Sequence, residues 1–143
     1  MYRIYTYKKG NSYITMKFKY TEFQSRFLPI VPIRIKGAVG WVKFRAFVDS
    51  GAGYSVFQSE MAEILGLKLE DGKREGITVG DGTQIEVYKH NVKVDVANQE
   101  FEATIGFSRQ LGIGFNIIGR LSIFEKFKIC FDEPEQIVEF FPK

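Results

Sequence analysis

Between Tyr13 and Tyr20 the chain alternates, with Tyr13, Thr15, Lys17 and Lys19 on one side and Ile14, Met16, Phe18 and Tyr20 on the other. A period of two is what a half-buried strand requires, so this N-terminal segment is expected to be extended. Residues 27–35, FLPIVPIRI, carry Pro29 and Pro32 three apart. Proline lacks an amide hydrogen and clashes with the preceding helical turn, which forbids a helix and restricts the stretch to an edge strand or an extended arm. Gly37 to Gly40 signals a turn, and WVKFRAFVD then reads as the second strand of a hairpin that delivers Asp49 at its end.

After the glycines at 51 and 53, SEMAEILGL sets Met61, Ile64 and Leu65 at helical spacing, with Ser59 as N-cap and Gly66 as C-terminal stop. From Gly76 three further strand segments follow: ITVGDGTQIEVYKH, NVKVDVA and EFEATIGF, with Gly-Asp-Gly and Asn-Gln as turn signals. RLSIFEKF places Leu121, Phe124 and Phe127 at intervals of three and fits a second short helix. KICFDEPEQIVEFF closes with a hairpin turned at Asp132 to Glu135. The pattern is mostly β with one or two short helices, and no repeat, low-complexity tract or linker divides it.

At 143 residues, 45% hydrophobic and 15% aromatic, the chain can bury a core as a single domain without staples. Cys130 is the sole cysteine, so no intrachain disulfide forms, and a small buried apolar thiol is expected. No apolar run approaches the roughly 20 residues of a membrane span, and the first residues lack a signal-peptide core. The expectation is a soluble, cytoplasmic protein without membrane contact. The net charge of +3 comes from 20 basic and 17 acidic side chains that are interspersed, the densest basic stretch being Lys8, Lys9, Lys17 and Lys19. That favours a solvated mixed surface over a nucleic-acid groove. His90, the only histidine, has no nearby cysteine and so forms neither a metal cluster nor a Cys-His pair; it reads as a surface strand residue. No nucleophile elbow or phosphate loop occurs, and Tyr5-Tyr7 and Phe140-Phe141 read as core or dimer contacts.

Two segments carry candidate chemistry. In FVDSGAGYSVF, residues 47–57, an apolar strand ends in Asp49, followed at once by Ser50, Gly51, Ala52 and Gly53. A carboxylate at a buried strand end is costly to leave unpaired, and the glycines let the backbone turn sharply beside another chain or a ligand. Taken alone, Asp-Ser-Gly is an ordinary turn. In FNIIGRLSIFEKF, residues 115–127, Ile117 and Ile118 run into Gly119 and Arg120, and taken alone this is a buried strand and its turn.

In this order and at this separation, with a glycine-bearing hairpin between them, the two motifs resemble the retroviral-type (retropepsin-like) aspartic proteases, from about Ile30 to the C-terminus. The resemblance implies a closed, barrel-like fold in residues 30–143, with residues 1–29 as an N-terminal extension, extended or strand, that can contact a partner. Met16 is a candidate internal start, and residues 1–15 an added strand or cleavable arm. Asp49 matches the catalytic aspartate, and Ser50 the hydroxyl that reaches across a two-fold axis to the other subunit. Gly51 and Ala52 complete the catalytic loop, and Gly51 accepts the substrate backbone. Val79, Gly80, Asp81 and Gly82 match the flap over a bound peptide, and Ile118, Gly119 and Arg120 the segment packed beside the loop. Pocket walls are expected from Ile30 to Pro32, Ala52, Val79 and Ile118. The implied reaction needs a catalytic water and no metal or other cofactor.

One aspartate cannot both take a proton from water and donate one to the carbonyl oxygen. The other aspartates, Asp71, Asp81, Asp95 and Asp132, are not followed by Ser-Gly or Thr-Gly, so the second carboxylate is expected from a second copy in a symmetric homodimer acting on peptide or protein substrates. In the family, chain ends interleave into a shared sheet, and QIVEFF and the N-terminal segment are the candidates for that role. Gly53 stands where many viral members have the acidic partner of the Gly-Arg arginine, leaving Arg120 to pair with another carboxylate such as Glu125 or to serve as a surface residue. Two competing readings are a catalytically inactive retropepsin-fold module for dimerisation or peptide binding, and an unrelated ligand- or nucleic-acid-binding β-barrel. The intact Asp49, Ser50 and Gly51 weigh against the first.

Overall fold

The computed structural model describes residues 2–8 and 11–143, with side chains from Thr15 onward. The side chains of Tyr5, Tyr7, Lys8, Tyr13 and Ile14, and Lys9 as a whole, lie outside the described residues. In chain order the elements are β1 (Tyr2–Lys8), β2 (Asn11–Lys19), β3 (Thr21–Phe23), β4 (Arg26–Leu28), β5 (Ile30–Gly37), β6 (Gly40–Val48), β7 (Ser55–Gln58) and α1 (Ser59–Ile64). They continue with β8 (Lys73–Thr78), β9 (Gln84–Val96), β10 (Gln99–Ser108), β11 (Asn116–Ile118), β12 (Phe127–Asp132) and β13 (Ile137–Pro142).

Six strands close on themselves in the order β10, β7, β11, β6, β5, β9, with β9 pairing back onto β10. The result is a closed six-stranded barrel, as the resemblance implies. The alternation in IVPIRIKG turns Val31, Ile33 and Ile35 inward at 0% exposure, and β9 adds Val92, Val94 and Val96. Pro32 escapes the usual penalty of proline inside a sheet because β5 meets β9 only at Arg34 and Ile35, so its missing amide hydrogen interrupts no ladder there. The strand is therefore interior to the ring, with a local edge at the proline.

A second sheet runs β1, β2, β13, β12, antiparallel throughout, and it seals the barrel. Met16 and Phe18 of β2 and Val138 and Phe140 of β13 join the main core, with Phe18 and Phe127 set edge-on to Phe140 at 5.6 and 5.3 Å. Apolar area of this kind contributes about 25 cal/mol per Å² buried. The C-terminal strand QIVEFF has both edges occupied by strands of its own chain, β2 and β12.

The helix is a single short one. Its N-cap is Gln58 rather than Ser59, because Gln58 is the residue with extended backbone, at φ −58° and ψ 141°; its side chain makes no cap bond and donates instead to Ile113 O at 2.6 Å. Gly66, at φ +73°, ends the helix: its N–H donates to Glu63 O and that of Leu67 to Ala62 O, both at 2.9 Å, which satisfies the last carbonyls. Ala62 and Leu65 form the buried face; Ile64 is 54% exposed and stays outside it. The expected second helix is only a 3-10 turn at Phe124–Lys126, since Ser122 adopts φ +70° and cannot continue a right-handed helix. Cys130 is half-buried on β12 and not a core thiol. His90 is likewise no plain surface residue: its Nε2 lies 3.0 Å from Leu69 O and its ring packs edge-on to Phe107.

Candidate active site

Asp49 is held by two strands that run parallel. β11 lies alongside β6 with Ile117 opposite Phe47 and Ile118 opposite Val48, and the Asp49 amide donates to Ile118 O at 3.0 Å. The chain then turns on small residues: Ala52 N–H donates to Asp49 O at 3.2 Å, and Gly51 N–H to Asp49 Oδ1 at 2.9 Å. A backbone donor on one carboxylate oxygen fixes the rotamer and leaves Oδ2 without a hydrogen bond among the described residues. Asp49 is half-buried, while Ser50 and Gly51 are exposed beside it. The Ser50 hydroxyl has no partner within the described residues.

The segment from Ile118 to Leu121 closes around this loop from behind. Arg120 N–H donates to Ala52 O at 2.9 Å and Leu121 N–H to Gly53 O at 2.8 Å. Gly119 lies so close that a Cβ there would stand 2.6 Å from the Tyr54 carbonyl carbon and 2.9 Å from Ala52 O. Arg120 acts here through its backbone; its side chain is exposed and forms no ion pair among the described residues, with Glu125 or any other carboxylate.

Two buried polar side chains complete the scaffold without having stood out in the sequence. Ser55 Oγ accepts from Gly119 N–H at 3.0 Å, and Asn116 joins three strands by accepting from Gln58 N–H at 3.0 Å and donating to Arg45 O at 3.1 Å. The available signal was a lone polar residue in each of two apolar runs, YSVF and FNII, since buried polar groups persist where they are bonded. Asn116→Ala strands both backbone groups, and thermal or denaturant unfolding should show a loss of about 2 kcal/mol.

A cleft opens above Asp49, lined by Gly51, Ala52, Val79 and Gly80 together with Ile77, Leu111 and Ile117. Val79 and Gly80 come from the β8–β9 hairpin, whose tip is closed by Val79 N–H to Thr83 O at 2.8 Å and by Asp81 Oδ1 accepting from Thr83 N–H at 2.8 Å. Asp81 and Gly82 form that tip and do not line the cleft; Gly82 supplies the positive φ of +85° that the turn demands. Ile30, Val31 and Ile118 lie in the core at 6%, 0% and 0% exposure, so they do not wall the cleft; Ile117, one residue earlier and facing the other way, does. Pro32 faces a different groove beside Arg34 and Met16.

Ion pairs brace the base of the hairpin, Arg74 with Glu86 and Lys89 with Glu75. A hydrogen bond from Tyr88, helped by Arg74, lowers the Glu86 carboxyl below its ordinary value, and Lys89 does the same for Glu75. A carboxyl whose folded pKa is depressed contributes stability above its unfolded value and loses it as pH falls through the folded one. Amide protection factors across residues 73–89, corrected for the intrinsic pH dependence of exchange, should therefore hold from pH 7 to pH 5 and fall only below about pH 4.

Among the described residues no group of His, Cys, Asp and Glu could hold a metal ion, and no helix is long and apolar enough to cross a membrane. The sequence pattern of a family described as aspartyl protease matches residues 31–114. No curated protein matches the chain. Among solved structures it is similar to a retropepsin-like aspartic protease from Rickettsia conorii, at 18% identity and a TM-score of 0.63 over 87% of this chain and 98% of that one. It is also similar to the EIAV protease complexed with the inhibitor HBY-793, at 17% identity and a TM-score of 0.51 over 70% of this chain and 88% of that one.

Proposed function

The chain belongs to the aspartyl protease family, hydrolases of the aspartic endopeptidase type, and on that premise we propose that Asp49 is one half of a catalytic dyad completed by Asp49 of a second copy. The observation that carries this reading is the cleft itself, in which a single oriented carboxylate lies beneath a glycine-bearing hairpin. An extended peptide fits between that hairpin and the Asp49 loop, its backbone bonded in strand fashion to Gly51 and Gly80 and its side chains against Ala52, Ile77, Val79, Leu111 and Ile117.

Two carboxylates roughly 3 Å apart hold one proton between them, as in aspartic proteases generally. The ionised one takes a proton from water as its oxygen attacks the peptide carbonyl carbon, and the protonated one donates to the carbonyl oxygen. Collapse of the resulting diol breaks the C–N bond, with a proton delivered to the departing nitrogen. The Ser50 hydroxyl, exposed and unbonded among the described residues, reaches the opposite loop and keeps the two halves in register. Ile118, Gly119 and Arg120 position the loop, and Val79 to Gly82 serve as the flap. Residues 30–143 form the protease domain and residues 1–29 an N-terminal extension that can contact the partner. The only co-reactant is water, and the compartment is the cytoplasm.

A peptide library at mildly acidic pH tests the reading. Cleavage should appear with wild-type protein, and specific activity should fall on dilution as dimers dissociate, with a bell-shaped pH profile belonging to the coupled pair. Peptide binding without any cleavage would identify an inactive binding module, and activity that survives dilution to strict monomer would refute the shared site.

A further inference from the structure

On the reading of a shared site one copy is incomplete, and β13 has both edges filled by strands of its own chain. The second sheet has open edges at β1 and at β12, and the outer edge of β12 carries backbone donors and acceptors that are unpaired among the described residues. This edge adjoins the active site: Phe131, 38% exposed, shares a groove with Phe27, Asp49 and Ser50, and Phe27 is 51% exposed. An unprotected edge flanked by exposed aromatic rings is a surface for strand pairing.

The sequence of β12 specifies its own partner. A two-fold axis normal to the sheet keeps each side chain on its own face, so residues of equal parity must pair. With the axis at Cys130, Lys128 stands opposite Asp132 and Ile129 opposite Phe131, in both directions. Moving the axis to Ile129 or Phe131 sets Lys128 against Cys130 or Cys130 against Asp132 and brings no opposite charges together within the strand. Faces agree as well: Phe127, Ile129 and Phe131 pass from buried to exposed along the core side, whereas Lys128 and Asp132 are exposed. The second copy's Phe131 thus extends the core beyond Ile129.

We propose that two copies join edge to edge through β12, antiparallel about Cys130, with Lys128 paired to Asp132 across the seam and the two Asp49 loops brought to the same axis. This rests on the reading of Asp49 as half of a shared site, and it replaces interleaved chain ends with a seam formed by the last hairpin.

Cys130 supplies the probe, because paired residues across an antiparallel ladder have Cα atoms about 4.5–5.5 Å apart, within disulfide range. Mild copper-phenanthroline oxidation of the full chain should give a covalent dimer, and Cys130→Ser should give none while sedimentation still shows a dimer. Lys128→Asp and Asp132→Lys should each weaken dimerisation about tenfold, and the double exchange should restore it. A dimer in sedimentation whose Cys130 resists cross-linking, or charge reversals that leave it unchanged, overturns the proposal while leaving the protease reading intact. A Cys130-linked dimer that cuts no peptide refutes the protease reading and leaves the seam standing.

Discussion

Asp49→Asn is expected to lower kcat/KM on any peptide the wild-type protein cuts by about 10⁴-fold or more, with the dimer and the melting temperature preserved. The reason is local. Asparagine keeps an oxygen where Gly51 N–H donates at 2.9 Å, so the loop retains its shape, but the group can no longer accept the proton of water. Mixing gives a second readout. When equal amounts of variant and wild type exchange subunits, dimers double in number but only about a quarter carry two intact aspartates, so activity per wild-type chain should fall to about half. Unchanged activity in the mixture would mean that each chain works alone.

Gly119→Ala is the substitution expected to damage the scaffold most. The added methyl would meet the backbone of Tyr54 and Ala52, and neither can move without breaking Arg120 N–H to Ala52 O or Leu121 N–H to Gly53 O. Overpacking against backbone should cost about 3 kcal/mol, or roughly 10 °C in Tm for a domain of this size. Displacement of the Asp49 loop by even about 1 Å should remove a further hundredfold of activity in whatever protein remains folded. Gly80→Ala is the control: nothing lies within 4 Å of its Cβ, so calorimetry should find Tm unchanged. An unaltered Tm for Gly119→Ala would show that the loop and the Ile118–Leu121 segment are not rigidly coupled.

Much of this architecture was readable from period and turn chemistry. The β5–β6 hairpin, the Gly66 stop and the two site motifs follow from local pattern, because each is set by residues within a few positions of one another. What escaped depends on distant contacts. The stretch from Gln84 to Val96 looks like two strands because its buried positions change parity, from Ile85 and Val87 to Val92, Val94 and Val96. It is one strand, paired with β8 over Gln84–Lys89 and with β10 over Tyr88–Val96; its first half faces the small cluster with Val56 and Leu111, and its second half turns the opposite side to the main core. A parity change that marks a strand shared by two cores cannot be told from a break in the sequence alone. The same holds for Ser55 and Asn116, whose partners lie 64 and 58 residues away. Leu121, Phe124 and Phe127 kept a spacing of three, but Ile123 took the buried position and the helix reduced to one turn.

The place of β13 between β2 and β12 also sets a schedule for biosynthesis. β2 is made more than a hundred residues before β13, so one of its edges stays bare until Ile137–Pro142 have left the ribosome and can be inserted beside it. β12 depends on the same event for its neighbour, so the seam edge does not exist in ordered form on a partly made chain. Long-range pairing of this kind is slow compared with hairpin closure. If the site is shared as proposed, a nascent chain holding a finished Asp49 loop would remain single and inert until the β12–β13 hairpin is complete.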